Sequence, residues 1–286
     1  MRSMPMKVRR SGKRAGRKAL ALARRRSAPT PHLGLVRAPR THTNPGPMGR
    51  RIAVATYNVH RWTGLNGRSR PDPSRAGVVI SELRADVIAL QEVLRPFTGE
   101  DPLEAIADAL GMHVAFASTR LHRRGELGNA ILSRWPMAGV SVVDLSFSRM
   151  ERRLAMAAQF QFEGGVVDVV ATHLALGDRT RHRQVRSLLD HAHFQDGPTL
   201  LLGDMNAWRQ CKATRALEDE MHHNLAWPPS FPSTRPVLAL DRIYSRGVEV
   251  LEIGSHKSAA ARTASDHLPV VATIELPKEW PVDGRR

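Results

Sequence analysis

Thr199-Leu-Leu-Leu-Gly-Asp-Met-Asn-Ala-Trp208 is an apolar run that breaks at Gly203 and gives way to Asp204 and Asn206. Three leucines after Gly197-Pro198 read as a buried strand. Extended backbone alternates its side chains, so Asp204 and Asn206 are expected on one side with Met205 on the other. A carboxylate and an amide emerging together at a strand end can hold a water, a metal or a phosphate. The plainer reading is an Asx turn that closes the strand.

Repetition weighs against the plainer reading. Asn58 ends the apolar run that begins at Arg51, and Glu92 follows Leu90-Gln91 near the end of a second run. His173 closes Val169-Val-Ala-Thr, Asp241 lies in Leu240-Asp-Arg-Ile-Tyr244, and Asp266-His267 precede Leu268-Pro-Val-Val-Ala-Thr-Ile. A carboxylate within an apolar run is costly unless it is paired or metal-bound. Several such groups at strand ends point to one shared site, because strands of a sheet bring their ends together. Carboxylates and amides are hard oxygen donors and suit Mg²⁺ or Mn²⁺. With a single cysteine, Cys211, and no His-Glu-x-x-His pattern, nothing supports a zinc site. A Mg²⁺ site of this kind keeps places for water and phosphate oxygens, which is a site for phosphoester hydrolysis.

The elements that must position these groups alternate between strand and helix. Strands are expected at 51–60, 85–93, 113–118, 129–133, 140–145, 154–162, 166–174, 199–204, 238–244, 248–253 and 268–276. Gly164-Gly165 reads as a two-residue hairpin turn. Helices are expected from Pro71-Asp72-Pro73-Ser74 to about Arg84, over 102–110 with Gly111 as its stop, from Arg179 to about His193, and over 213–220. The body is one α/β domain, 51–277, of two packed sheets, with a short tail at 278–286.

Charge is concentrated ahead of that body. Residues 1–50 hold 14 Lys or Arg and no acid; of 43 basic residues, 29 remain against 27 acidic ones. The body is thus only about +2, and residues 1–50 read as a disordered basic arm. Two readings of the arm stand: a segment that binds nucleic acid or anionic lipid, or a solvated tail ahead of a body starting at Met48. One cysteine excludes an intrachain disulfide. No apolar run reaches the ~20 residues of a membrane span, and 19–23 is too short for a signal-peptide core. A cytoplasmic monomer is the expectation.

Taken together, Tyr57-Asn58-Val59, Leu90-Gln91-Glu92-Val93, Thr172-His173-Leu174, Gly203-Asp204-Met205-Asn206, Leu240-Asp241-Arg242-Ile243 and Ser265-Asp266-His267-Leu268-Pro269 resemble the endonuclease/exonuclease/phosphatase superfamily. The motifs occur in that family's order over roughly residues 51–277. The resemblance implies a four-layer α/β/β/α sandwich, deoxyribonuclease-like, with mixed sheets face to face and the site at one rim. It also implies a Mg²⁺- or Mn²⁺-dependent hydrolase of phosphoesters, with a phosphodiester or nucleic acid as substrate and lipid-headgroup or sugar-phosphate esters as the alternative. Glu92 would be the chief metal carboxylate, beside Asn58 and Asp266. Asp204 would activate water, Asn206 and His173 would bind phosphate, and Asp241 would orient His267 toward it. Asn129 in Gly128-Asn129-Ala-Ile-Leu-Ser133 and Arg153 in Glu151-Arg152-Arg153 are further candidates for substrate contact. A turn asparagine and a solvated charge cluster are the alternatives there. His60 stands where abasic-site endonucleases carry an Asp, which disfavours DNA repair. A non-catalytic nucleic-acid-binding role through the arm is the alternative of another class. Trp62 and Trp208 follow two of the motifs and are candidates to stack on a base or to pack at the rim.

Overall fold

The computed structural model describes residues 31–41, 44–147, 151–191, 194, 197–221 and 225–280. Residues 1–30 of the basic arm, His193 at the end of the expected third helix, and residues 281–286 of the tail lie outside the described residues. The strands are β1 (His32–Arg37), β2 (Arg51–Asn58), β3 (Val87–Pro96), β4 (His113–His122), β5 (Gly125–Ser133), β6 (Gly139–Asp144), β7 (Leu154–Phe162), β8 (Gly165–His173), β9 (Thr199–Asp204), β10 (Asp241–Arg246), β11 (Glu249–Ser255) and β12 (Val270–Glu275). The helices are α1 (Pro73–Leu83), α2 (Pro102–Ala109), α3 (Asp178–Leu189), α4 (Lys212–Glu220) and the short α5 (Ala261–Ala264).

One sheet has seven strands in the order β1-β4-β5-β3-β2-β12-β11, and the other has five in the order β10-β9-β8-β7-β6. Their inner faces share a core that includes Val54, Val87, Ile131, Met156, Val169, Leu200 and Ile274. The outer face of the larger sheet packs Ile88, Leu90 and Phe116 against Val79 and Ile80 of α1 and Leu103 of α2. The outer face of the smaller sheet packs Val170 and Leu201 against Val185 and Leu188 of α3 and Leu217 of α4. The result is the four-layer sandwich expected from the sequence. Burial along its whole length explains why β9 reads as an apolar run rather than as alternation.

Each sheet contains one parallel pair, β2 with β3 and β8 with β9. In the first, Asn58 is level with Gln91, and in the second His173 is level with Asp204. A bulge in β3 between Leu90 and Val93 puts Glu92 at φ 53° and takes it out of the ladder. Strand ends thus present Asn58, His173 and Asp204, while Glu92, expected near a strand end, comes from this bulge inside β3, which runs on to Pro96.

Three sequence expectations are corrected. Residues 1–50 are not wholly an arm: β1 is an edge strand paired with β4, and Met48 is buried against the inner core. Arg37 ties β1 to α2, its guanidinium donating to Glu104 at 3.0 Å and to Asp108 at 2.9 Å. Short, positively charged β1 gave no apolar signal because its outer residues Leu33 and Val36 stay exposed. At the other end, the chain stays against the body to Trp280, whose ring lies over Gly247, so the tail does not start at 278. Third, β2 stops at Asn58, and His60, Arg61 and Trp62 form a left-handed turn rather than the end of a strand, with φ of 46°, 58° and 63°.

Deleting residues 1–30 is expected to leave the melting temperature within about 2 °C of the full chain. Deleting 1–40 strips the edge from β4 and is expected to lower it by about 5 °C or more. Equal melting temperatures in a thermal scan would remove β1 from the stable fold.

Candidate active site

Asp204 ends β9 and sits directly opposite Asp241 at the start of β10. Both carboxylates are buried. Two anions side by side in an apolar sheet repel strongly unless a cation joins them. His267, brought in by the segment between α5 and β12, supplies it. Its Nδ1 donates to Asp241 Oδ2 at 2.7 Å, and its Nε2 lies 3.8 Å from Asp204 Oδ2. Burial alone would lower the imidazole, but the flanking charges of Asp241 and Asp204 overcome that and lift it to about 10. Burial pushes the Asp204 carboxyl up to about 6; His267 opposes the rise and Asp241 adds to it.

Further contacts fix Asp204. Asn58 Nδ2 donates to its Oδ2 at 3.1 Å, and the Asn206 amide N–H donates to its Oδ1 at 2.9 Å. The second contact closes an Asx turn, so the plain reading of this stretch and the chemical one hold together. Strand alternation ends at Asp204, with Asn206 left-handed at φ 51° and its side chain donating to Leu174 O at 2.9 Å. Met205 is buried on the helix side. Gly203 permits the close approach to β8, since a Cβ there would overlap the Thr172 carbonyl. Two buried arginines brace the loop. Arg181 Nη1 donates to Asn206 O at 2.7 Å, and Arg242 Nη2 to Ala207 O at 2.8 Å.

His173 Nε2 stands 3.4 Å from Asp204 Oδ2. Burial drives its imidazole well below the ordinary range, and Arg153, His267 and Arg120 press it the same way. The site therefore holds one charged imidazole, His267, and one neutral one, His173, in contact with a single carboxylate. Glu92, Asn129, Arg153 and His173, with Arg120, line a cavity of about 80 Å³ beside this cluster. Arg153 pairs with Glu151 at 3.1 Å, while its buried Nε has no hydrogen-bond partner. Asn129 Nδ2 reaches Leu154 O at 3.5 Å and otherwise faces the cavity.

Asp266 is engaged elsewhere: His60 Nδ1 lies 3.0 Å from its Oδ1. The same Nδ1 lies 2.8 Å from Gly64 O; burial would lower His60, but Asp266 and then Glu92 raise it. Ser230-Phe-Pro-Ser233 braces the same corner. Ser230 Oγ accepts from the Asp241 N–H at 3.2 Å, Ser233 N–H donates to Asp266 O at 2.7 Å, and the Phe231 ring lies 5.0 Å from that of His267. Sequence reasoning missed His60 as a member of the site and also missed Arg61 and Arg120. His60 and Arg61 had one signal, their position directly after Tyr57-Asn58-Val59, and Arg120 had none. Trp62, a candidate for base stacking, is buried and donates to Leu94 O at 2.8 Å, while Trp208 remains exposed.

The cluster of Asp204, Asp241 and His267 has ligand atoms within 4.8 Å of one another, which is metal-like spacing. A protonated imidazole has no lone pair for an ion, and His267 already offsets one of the two carboxylate charges. Glu92 fits a cation better. It is partly open to the cavity, and its one close contact among the described residues is Arg61 Nε at 3.4 Å, without hydrogen-bond geometry. A larger cavity, about 670 Å³, lies between α1 and α2 behind Trp62. Its walls are chiefly apolar, among them Pro71, Gly77, Leu94 and Ile106, and of the candidate residues only Trp62 lines it.

Residues 55–267 match the Endonuclease/Exonuclease/phosphatase family. The uncharacterized protein YbhP of Escherichia coli strain K12 is 30% identical over 245 residues, covering 78% of this chain and 96% of YbhP. An endonuclease/exonuclease/phosphatase from Beutenbergia cavernae superposes with TM-score 0.65 at 24% identity, covering 79% of this chain and 72% of that one. A mannosyl-6-phosphatase from Bacteroides thetaiotaomicron shares the fold at TM-score 0.57 and 15% identity, over 78% of this chain and 99% of that one. Among the described residues, no helix is long and apolar enough to cross a membrane. The chain belongs to the endonuclease/exonuclease/phosphatase family of phosphoesterase-type hydrolases.

Proposed function

We propose that the chain hydrolyses phosphodiester bonds with the help of a divalent cation, Mg²⁺ or Mn²⁺. The observation that carries this reading is the single carboxylate of Asp204, in contact with a charged imidazole on one side and a neutral one on the other. Glu92 and Asn58 would hold the cation, with Asp266 contributing through His60. When bound, the cation supplies Lewis-acid stabilisation of the charge that grows on the phosphate oxygens.

The chain's own residues account for the remaining work. Asp204 accepts a proton from the attacking water, and a carboxyl near 6 is ionised at neutral pH yet basic enough to help. Its fixed bonds to Asn58 and Asn206 orient the lone pair that faces the water. His267, held charged by Asp241, places a cation where negative charge builds on phosphorus-bound oxygen. His173 stays neutral and donates a hydrogen bond without adding a proton. Environments that push two imidazoles apart in this way assign their roles. Asn206, Asn129 and Arg153 offer donors to the remaining oxygens.

Hydrolysis of bis(p-nitrophenyl) phosphate is expected with Mg²⁺ or Mn²⁺ and lost with EDTA. Asp204→Ala and His267→Ala are expected to lower kcat by about 10²–10⁴. Activity that survives EDTA, or either variant at wild-type rate, would refute the mechanism.

The folded state favours protonated His267. Because its folded value, about 10, exceeds the ordinary 6.5, that stabilisation is whole below pH 6.5 and is lost as pH rises through about 10. The NMR titration of its imidazole is expected to show it charged at pH 8, and Asp241→Asn is expected to bring the midpoint down by about one unit or more. A His267 that titrates near 6.5 in the wild-type chain would contradict the assignment.

A further inference from the structure

A second cavity, of about 160 Å³, adjoins the site. Its walls include Arg61, Arg68, His122, Arg123 and Arg124. Among the described residues, no carboxylate lines it. Arg61 belongs to both places, since its Nε lies 3.4 Å from Glu92 while its guanidinium forms part of this wall. Arg61 thus links this wall to Glu92 of the first cavity.

The arrangement is held by backbone on three sides. His60, Arg61 and Trp62 occupy consecutive left-handed conformations. Each costs on the order of 1–3 kcal/mol outside glycine and persists only when its surroundings enforce it. Here Asn58 Oδ1 accepts the His60 N–H at 3.0 Å, Thr63 Oγ1 donates to His60 O at 2.6 Å, and the Trp62 indole is anchored on Leu94 O. The loop after Gly64 folds down onto Arg61. A Cβ at Gly67 would lie 2.6 Å from Arg61 Nη2, and Asn66 Oδ1 accepts from the N–H groups of Arg68 and Ser69. On the third side, β4 and β5 close through a two-residue turn of Arg123 and Arg124, with His122 level with Gly125. Arg124 Nη1 reaches across to Ser69 O at 3.4 Å.

Arg61 has Glu92 at 3.4 Å, but Arg68, Arg123 and Arg124 converge beside it with no carboxylate on the wall among the described residues, and a bound anion would relieve their mutual repulsion. Their field is felt by His122, which burial lowers and Arg120, Arg61, Arg123 and Arg124 lower further. Guanidinium forks suit phosphate oxygens above other anions. Because Arg61 of this wall lies 3.4 Å from Glu92, a phosphate bound here would be a close neighbour of the one that reacts. Small monoesters carry no such neighbour, whereas a nucleic-acid strand carries one at every nucleotide.

We propose that the cleft formed by Arg61, Arg68, Arg123 and Arg124 binds the phosphate adjacent to the scissile one, and that the substrate is a nucleic-acid strand. This rests on the phosphodiesterase reading above and narrows it to one substrate class.

The test uses a fluorescein-labelled single-stranded 12-mer, with anisotropy measured in EDTA so that binding is read without hydrolysis. Arg68 and Arg123 are exposed, so the double variant Arg68→Gln/Arg123→Gln keeps the packing. It is expected to weaken binding about tenfold at physiological salt and to lower the slope of log K against log salt by about 1. The variant Arg186→Gln/Arg215→Gln removes the same charge from exposed positions on α3 and α4, and is expected to bind as the wild type does. Equal weakening in both double variants, or no change in either, would overturn the proposal. So would a wild-type chain that ignores the 12-mer but binds vesicles containing phosphoinositide. A chain that binds the 12-mer through these arginines yet hydrolyses no phosphodiester would overturn the catalytic reading and leave this cleft standing.

Discussion

Two carboxylates face each other across adjacent strands, buried at the rim of a sheet. Asp204 and Asp241 stand in register on β9 and β10, where side chains lie about 5 Å apart, and both are buried. Unpaired, such a juxtaposition would cost several kcal/mol. The imidazolium of His267 resolves it, and the structure around it is arranged so that this ring cannot leave. Ser265 Oγ donates to Asn58 O at 2.6 Å, and Leu268 N–H donates to Ser230 O at 2.8 Å, fixing the segment on both sides of the ring. Removing one member of the trio strands the others, so conformational stability and site geometry depend on the same contacts.

The sandwich explains why residues so far apart in the chain can meet. Each sheet has one parallel pair, and both pairs end on the same rim, one carrying Asn58 and Glu92 and the other His173 and Asp204. The contact of Asn58 with Asp204 crosses from one sheet to the other. The inner core, built from β-branched and small residues of both sheets, sets that distance. A site held by strand ends is stiffer than one held by loops. Arg181 and Arg242 add to this by satisfying loop carbonyls that would otherwise be buried without donors.

Much of this was legible in the sequence, for a physical reason. A polar residue that ends an apolar run is conspicuous, and Asn58, Glu92, His173, Asp204, Asp241 and His267 all have that form. The sandwich followed from strands and helices alternating around them. What escaped notice had no such contrast. β1 is a short edge strand with exposed Leu33 and Val36 and basic ends, so its composition matched the arm before it. The β4–β5 hairpin turns on Arg123-Arg124, without the glycine or asparagine that usually marks a turn. The left-handed turn at His60-Arg61-Trp62 has little propensity signal, because of the three only His favours positive φ. Asn206 was expected to follow strand alternation, but its own hydrogen bond to Asp204, a local Asx turn, ended the strand first.

The cation and the proton-transfer machinery are assigned to different residues of one site. Crystals grown with Mn²⁺ test this assignment, because anomalous scattering locates the ion without ambiguity. One strong peak is expected within bonding distance of the Glu92 carboxylate, about 2.2 Å, with His267 still hydrogen-bonded to Asp241. A peak among Asp204, Asp241 and His267, with Glu92 left bare, would contradict it.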